Sequence, residues 1–273
     1  MTPLEVDYSP SSMIDDIDVH LDEYASRSAA VRDVVAWVPI RYGTGEREVV
    51  DVFGALDAPV LHVFFHGGYW QQLGREDASF SAASFTARGV AYAAAGYTLA
   101  PEADLGEIVE QARNAVVALA TQFDGRIVVS GSSAGAHLAA MVAVTDWPSR
   151  GFEQSPIAGL VLMSGIYDLL PLIDTYVNDA LGLDETTARR LSPLGLIEDG
   201  SGGPQAVVAV GEIETDAFRT QSAVFASRLQ QRGWPVTFID VDNRNHFDIV
   251  FDLAEASTVL GGAVHAMEVD LTR

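Results

Sequence analysis

The sequence has no cysteine and no lysine. Without cysteine there can be no disulfide, no thiol nucleophile and no thiolate metal ligand. Without lysine, Schiff-base chemistry and a serine–lysine dyad are excluded. Positive charge is scarce altogether: Lys+Arg is 16 against 38 Asp+Glu, a formal net charge of -22. Such a surface repels nucleic acid and anionic membranes, so neither is expected as a partner. No apolar run reaches the roughly 18 residues of a membrane span. The opening stretch, MTPLEVDYSPSSMIDDIDVH, is acidic and has no apolar core of the signal-peptide kind, so a cytoplasmic setting is expected. H-E-x-x-H spacing is missing, and so are a G-K-[ST] loop and a glycine fingerprint that opens a helix. No metal, nucleotide or other cofactor is therefore expected.

What is present is a regular alternation. Apolar runs at Pro59–Phe65, Gly89–Tyr97, Arg126–Val129, Ile157–Ser164, Gln205–Val210 and Pro235–Val241 read as strands, most of them continuous enough to be covered on both faces. Amphipathic stretches separate them at 76–88, 104–123 and 218–232. Two further strands, Asp33–Ile40 and Arg47–Gly54, come first, after an amphipathic helix over 11–32. A C-terminal helix is expected from Phe247 to about Leu260. This order predicts an α/β fold with a mostly parallel sheet and helices on both faces. One domain over 1–273 is expected. Residues 167–204 break the pattern, being rich in Leu, Pro, Asp and Gly, and are expected to form a small lid-like excursion.

In a right-handed parallel sheet the strand ends carrying ligand residues share one edge. Several chemically capable residues fall there. Gly131-Ser132-Ser133-Ala134-Gly135 follows a strand and opens an Ala-rich helix. That is the context in which G-x-S-x-G places a serine hydroxyl on a sharp, exposed corner. A serine needs a neighbouring base and a carboxylate to orient it. His246 follows the last strand. Glu214 follows the strand before it, with Asp216 as second choice for the acid. Ser, then acid, then His is the chain order of a hydrolase triad. Gly67 and Gly68, at the end of an inner strand, can present N–H groups alongside that of Ala134 to a developing oxyanion. Tyr69 and Trp70 would border the substrate pocket. His66 is expected to brace the glycine loop, and His62 and His137 to be satisfied within the core.

The stretches His66-Gly67-Gly68-Tyr69-Trp70, Gly96-Tyr97 with Leu99-Ala100-Pro101, Gly131 to Leu138, and Asn245-His246-Phe247 resemble the kynurenine formamidase (arylformamidase) branch of the α/β-hydrolases. The likeness spans roughly residues 55–255 and lies beside the hormone-sensitive-lipase-like esterases and the amidases of N-acylanthranilates. It implies an α/β-hydrolase fold with Ser133 as nucleophile, His246 as base and an oxyanion hole from the Gly67-Gly68-Tyr69 loop with Ala134. The implied reaction is cleavage of an aryl amide, such as N-formylkynurenine or an N-acylanthranilate, without a cofactor. A carboxylesterase with the same site, and a non-catalytic binding protein on the same fold, are the alternatives. Three positions depart from the branch. Glu214 stands where Asp is usual, Ser132 where His is frequent, and Thr98 where an acid is common.

Overall fold

The computed structural model describes residues 1–198 and 202–273. Eight strands form one sheet: β1 Trp37–Arg41, β2 Val49–Phe53, β3 Val60–Phe65, β4 Ala91–Ala95, β5 Arg126–Ser132, β6 Ile157–Met163, β7 Gln205–Ile213 and β8 Val236–Asn245. Their order is β1-β2-β4-β3-β5-β6-β7-β8. The first two strands pair antiparallel, β2 runs antiparallel to β4, and all remaining pairs are parallel. This is the mostly parallel α/β architecture that the residue pattern predicted.

Side chains alternate across the sheet with a period of two, and the alternation divides the core. Leu61, Val63 and Phe65 of β3 face one hydrophobic cluster, which includes the helices Leu105–Ala120, Ala134–Ala143 and Asp216–Gln231. Val60 and Phe64 face the other cluster, with Ala82–Ala87, Val259–Leu271 and Tyr24 of the helix Ile17–Val34. All six residues of β3 are buried, which is why that run is apolar throughout rather than alternating. Full burial of one such Val, Leu or Phe side chain is worth about 1.5–3 kcal/mol.

Several elements differ from the sequence reading, among them the first strand, which is Trp37–Arg41 and not Asp33–Ile40 because the preceding helix runs on to Val34. The C-terminal helix is Val259–Leu271, not 247–260. Thr258 caps it by accepting from the Gly261 amide at 3.0 Å, and the expected span holds only a short 3₁₀ turn, Ile249–Asp252. The opening helix begins at Ile17, because Asp16 accepts from the Asp18 amide and fixes the start there. Strands β7 and β8 run past the hydrophobic core, to Ile213 and Asn245. Their outer residues are exposed, so no apolar signal marks them. Residues 167–198 form short helices at 170–174, 178–181, 185–190 and 193–196. Residues 199–201, within the expected excursion, lie outside the described residues.

Candidate active site

Strand register assembles the site. Phe65 of β3 pairs with Gly131 of β5. Two residues further along each chain are Gly67 and Ser133, and they meet: a Cβ added to Gly67 would lie 3.3 Å from Cβ of Ser133. Ser132 of β5 pairs with Met163 of β6, so Ser133 and Ser164 are the next residues out. The Ser133 amide donates to the Met163 carbonyl at 2.9 Å. On the other side Ile213 pairs with Asn245, which sets Glu214 and His246 side by side. The three members of the expected triad are thus the first residues past the hydrogen-bonded ends of β5, β7 and β8.

Ser133 sits at φ 56° and ψ -120°, a conformation that costs on the order of 1–3 kcal/mol for a residue with a side chain. The two flanking glycines let the corner close. A Cβ on Gly131 would stand 2.2 Å from the Gly135 carbonyl carbon, and one on Gly135 would stand 2.0 Å from the Phe65 carbonyl oxygen. No larger residue fits either place. Among the described residues five other non-glycine residues have positive φ: Tyr69, Trp70, Leu73, Ser164 and Asn243. All but Asn243 stand at or beside this site, as strained backbone tends to.

Glu214 is buried, 4% exposed, and both its oxygens are engaged. Oε2 lies 2.7 Å from Nδ1 of His246. Oε1 accepts from the Ser164 hydroxyl at 2.5 Å and from the Gly211 amide at 2.7 Å. An ionised carboxylate only accepts, so Nδ1 of His246 must donate, and Nε2 is the nitrogen left as base. Asp216, the second choice for the acid, instead begins the helix Asp216–Gln231. Asp240, on β8, pairs with Arg219 at 2.7 Å. The histidine is held by its own loop: the Asn245 side chain accepts from the amides of Phe247 and Asp248, and Asp248 accepts from the Asn245 amide at 2.8 Å. Tyr24 adds a clamp by donating to the Phe247 carbonyl. The ring of Phe218 packs edge-on to His246, with centroids 4.4 Å apart.

The glycine loop is braced from the Gly96–Pro101 stretch. The Tyr97 hydroxyl donates to the His66 carbonyl at 2.8 Å, and the Ala100 amide donates to the Trp70 carbonyl at 2.8 Å. His66 stacks on Tyr97, with centroids 4.2 Å apart, and its Nδ1 lies 2.9 Å from the Gly67 carbonyl. Burial lowers the His66 pKa to about 4, so its ring is neutral, a brace and not a base. His137 is likewise buried, with its pKa lowered to about 4 and Nε2 2.7 Å from the Leu191 carbonyl. His62 meets Ser130 at 2.7 Å inside the core. Among the described residues the amides of Gly67, Gly68 and Ala134 donate to no protein acceptor. All three lie around Ser133, where an oxyanion would need donors.

A cavity of about 220 Å³ opens over Ser133 and His246. Its walls include Gly67, Gly68, Tyr69, Leu73, Phe80, Phe247 and Val250. Tyr69 lines it as expected. Trp70 does not: the indole is wholly buried and packs edge-on to His137, with centroids 5.0 Å apart. Its backbone, at φ 60°, turns the side chain into the core beneath the loop. The sequence reading also missed most of the roof. Pro10, Ser11, Ile17, Leu21 and Tyr24 cover the cavity from the N-terminal segment, and Tyr176 and Val177 complete it. Ser164 was missed too, although its place at the end of a strand, on the edge that carries the other three, was a usable signal.

The chain is similar to known hydrolases over nearly its whole length. The α/β-hydrolase fold family matches residues 62–249. The kynurenine formamidase of Danio rerio is 36% identical over 94% of this chain and 92% of its own. That of Salmo salar is 38% identical over 92% of this chain and 91% of its own. Among solved structures, a protein from Silicibacter sp. tm1040, provisionally called a thioesterase, superimposes with a TM-score of 0.85 at 28% identity, covering 97% of this chain and 100% of that one. A thermostable carboxylesterase from a metagenomic library gives a TM-score of 0.74 at 21% identity, over 96% of this chain and 98% of its own, a likeness of fold. No helix among the described residues is long and apolar enough to cross a membrane. By the matched fold family and by its identity to these relatives over nearly their whole length, the chain belongs to the kynurenine formamidase family of the α/β-hydrolases and is a hydrolase.

Proposed function

We propose that this hydrolase cleaves an aryl formamide or closely related aryl amide through an acyl-enzyme on Ser133. The observation that carries the proposal is the Glu214–His246 contact at 2.7 Å, set by strand register beside a strained Ser133 in one cavity. In the first step Oγ of Ser133 attacks the amide carbonyl, and Nε2 of His246 takes the hydroxyl proton. The negative charge that develops on the carbonyl oxygen meets the amides of Gly67, Gly68, Tyr69 and Ala134. Glu214 holds the imidazolium through Nδ1. The C–N bond then breaks, and the same proton passes to the departing arylamine. Water enters, gives its proton to His246, and attacks the acyl carbon. The bond to Oγ breaks, the proton returns to Ser133, and the acid leaves as formate or another carboxylate.

A small acyl group suits the arrangement. The Gly67 loop passes against Cβ of Ser133, while Leu21, Phe80 and Val250 give the cavity apolar wall for an aryl group. The experiment is a panel of N-formylkynurenine, N-acetylanthranilate and phenyl acetate, compared by kcat/KM. Fast release of arylamine and formate from the first is expected. Stoichiometric labelling of Ser133 by an organophosphate is expected as well. Ester turnover without any amide turnover would replace the reading with a carboxylesterase. Full activity in Ser133→Ala, where a loss of at least about 10⁴-fold is expected, would end it.

A further inference from the structure

Ser132, the residue before the nucleophile, is only 6% exposed, yet it lines the cavity. Among the described residues its hydroxyl takes part in no hydrogen bond. Alternation along β5 fixes where it points. Val128, four residues earlier, and Met163, the partner of Ser132 on β6, both face the cluster that holds Phe64 and Phe247. Ser132 turns to that same side, where Phe64, Phe247 and Val250 line the cavity. The backbone acceptors nearby are taken. The Gly67 carbonyl meets Nδ1 of His66 at 2.9 Å. The Gly68 carbonyl accepts from the Gln71 and Gln72 amides at 2.9 and 3.0 Å, and the Ser133 carbonyl from the Ala136 and His137 amides at 3.0 and 3.2 Å. The Phe247 carbonyl accepts from Tyr24. The hydroxyl of Ser132 is thus a free acceptor beside the nucleophile, on the side of the apolar wall.

An amide makes a demand that an ester does not. Once Oγ of Ser133 has added to the carbonyl, the leaving nitrogen turns its lone pair to Nε2 of His246, which holds the proton. The nitrogen's own N–H then points elsewhere, and an N–H without an acceptor on an apolar wall is costly. The leaving oxygen of an ester carries no hydrogen and needs no such acceptor. We infer that the Ser132 hydroxyl accepts this N–H and so favours aryl amides over the matching esters. The inference rests on the proposed aryl amide activity and deepens it. Ser132 transfers no proton. The C–N bond breaks as the nitrogen takes the proton from His246, and the arylamine leaves with that hydrogen and its own.

The test is a ratio between two substrates that share one acyl group. Formanilide and phenyl formate give the same formyl-enzyme, so their kcat/KM values differ only in the steps up to loss of aniline or phenol. Ser132→Ala should lower the amide-to-ester ratio roughly three- to ten-fold, the effect of one hydrogen bond in a transition state. Ser132→Thr, which keeps a hydroxyl, should recover part of it. Single-turnover rates should place the loss in acylation. A ratio that stays within two-fold of native in Ser132→Ala, or a loss confined to deacylation, overturns the role of Ser132 and leaves the aryl amide reading standing. Absence of amide turnover in the native enzyme ends that reading, and the role of Ser132 with it. Because both substrates are measured on one preparation, a partial loss of folded protein cancels in the ratio.

Discussion

The floor and the roof of the cavity are built by different means. The floor is the sheet edge: Ser133, Glu214, His246 and Gly67 stand one or two residues beyond paired strand ends. Backbone ladders fix them, and shifting one means slipping a strand. The roof comes from side chains between Pro10 and Tyr24 and from Tyr176–Val177. Single side-chain hydrogen bonds tie its N-terminal segment down. Tyr69 donates to the Tyr8 carbonyl at 2.5 Å, Thr215 to the Asp7 carbonyl at 2.5 Å, and Gln221 to the Tyr8 hydroxyl at 3.0 Å. Two of these anchors, Tyr69 and Thr215, adjoin Gly68 and Glu214. The roof therefore rests on the floor, and it returns one brace, the Tyr24 hydroxyl on the Phe247 carbonyl beside His246. Changes to the floor should act on kcat, and changes to the roof on KM.

The sharpest contrast is within the floor. Glu214→Gln keeps the shape but donates where it should accept, so the His246 tautomer is lost. A fall in kcat of about 10³–10⁴-fold is expected. Asp216→Asn, two residues away, changes only the first turn of a helix and should stay within about two-fold. Single-turnover kinetics on both variants decide the matter. Equal losses, or a larger one at Asp216, would break the assignment of the acid.

Acid separates floor and roof by stability. His66 braces the floor loop and His137 lies beneath Trp70, and burial lowers the pKa of both to about 4 from an ordinary 6.5. The folded state thus refuses a proton that the unfolded chain accepts. The stability concerned is present above pH 6.5 and is lost as pH falls towards 4. At about 1.4 kcal/mol per pH unit that is about 3 kcal/mol for each ring. Burial lowers the His62 pKa as well, with the same sign. Urea midpoints between pH 7.5 and 5 should fall steeply in the native protein and less steeply in His137→Gln. A roof variant should run parallel to the native curve; matching slopes for native and His137→Gln would contradict the account.

Ser164 offers a smaller test. It holds Oε1 of Glu214 with the Gly211 amide. Removing it leaves one of two braces on a longer acid than the family's usual aspartate. Ser164→Ala is expected to lower kcat about ten-fold with KM little changed. The acid limb of the kcat profile should also shift, because the carboxylate that stabilises the imidazolium is less firmly held. A kcat effect without that shift would make Ser164 structural only. Ser164→Thr, which keeps a hydroxyl, should recover part of the rate.

What the residues told in advance follows the same division. Strands β3 to β6 are buried on both faces, so their apolar runs were plain, and the elbow, glycine loop and late histidine followed at their ends. Glu214 could be chosen but not secured, because Glu212 and Ile213, which end the strand that aims it, are exposed and lie beyond its apolar run. Trp70 was misplaced since a burial direction set by one positive φ leaves no trace in composition. The roof was unreadable for another reason. Leu21 and Tyr24 show helical spacing, but nothing local says that this helix crosses to strand ends more than two hundred residues away. Long-range docking by single hydrogen bonds has no period.

The mildest perturbation is therefore the most exacting for the comparison. The Ser9 hydroxyl, in the N-terminal segment, donates to the Tyr176 hydroxyl at 3.0 Å. It joins the two chain segments of the roof and touches no floor residue. Ser9→Ala removes one neutral hydrogen bond, worth about 0.5–1.5 kcal/mol. If the roof only shapes the space above Ser133, KM should rise two- to four-fold and kcat should not move. Burst-phase and steady-state rates measured together separate the two. A fall in kcat of the same size would mean that the anchors at Tyr69 and Thr215 transmit the roof's position to the Gly68 and Glu214 beside them, and the floor would no longer be independent of what covers it.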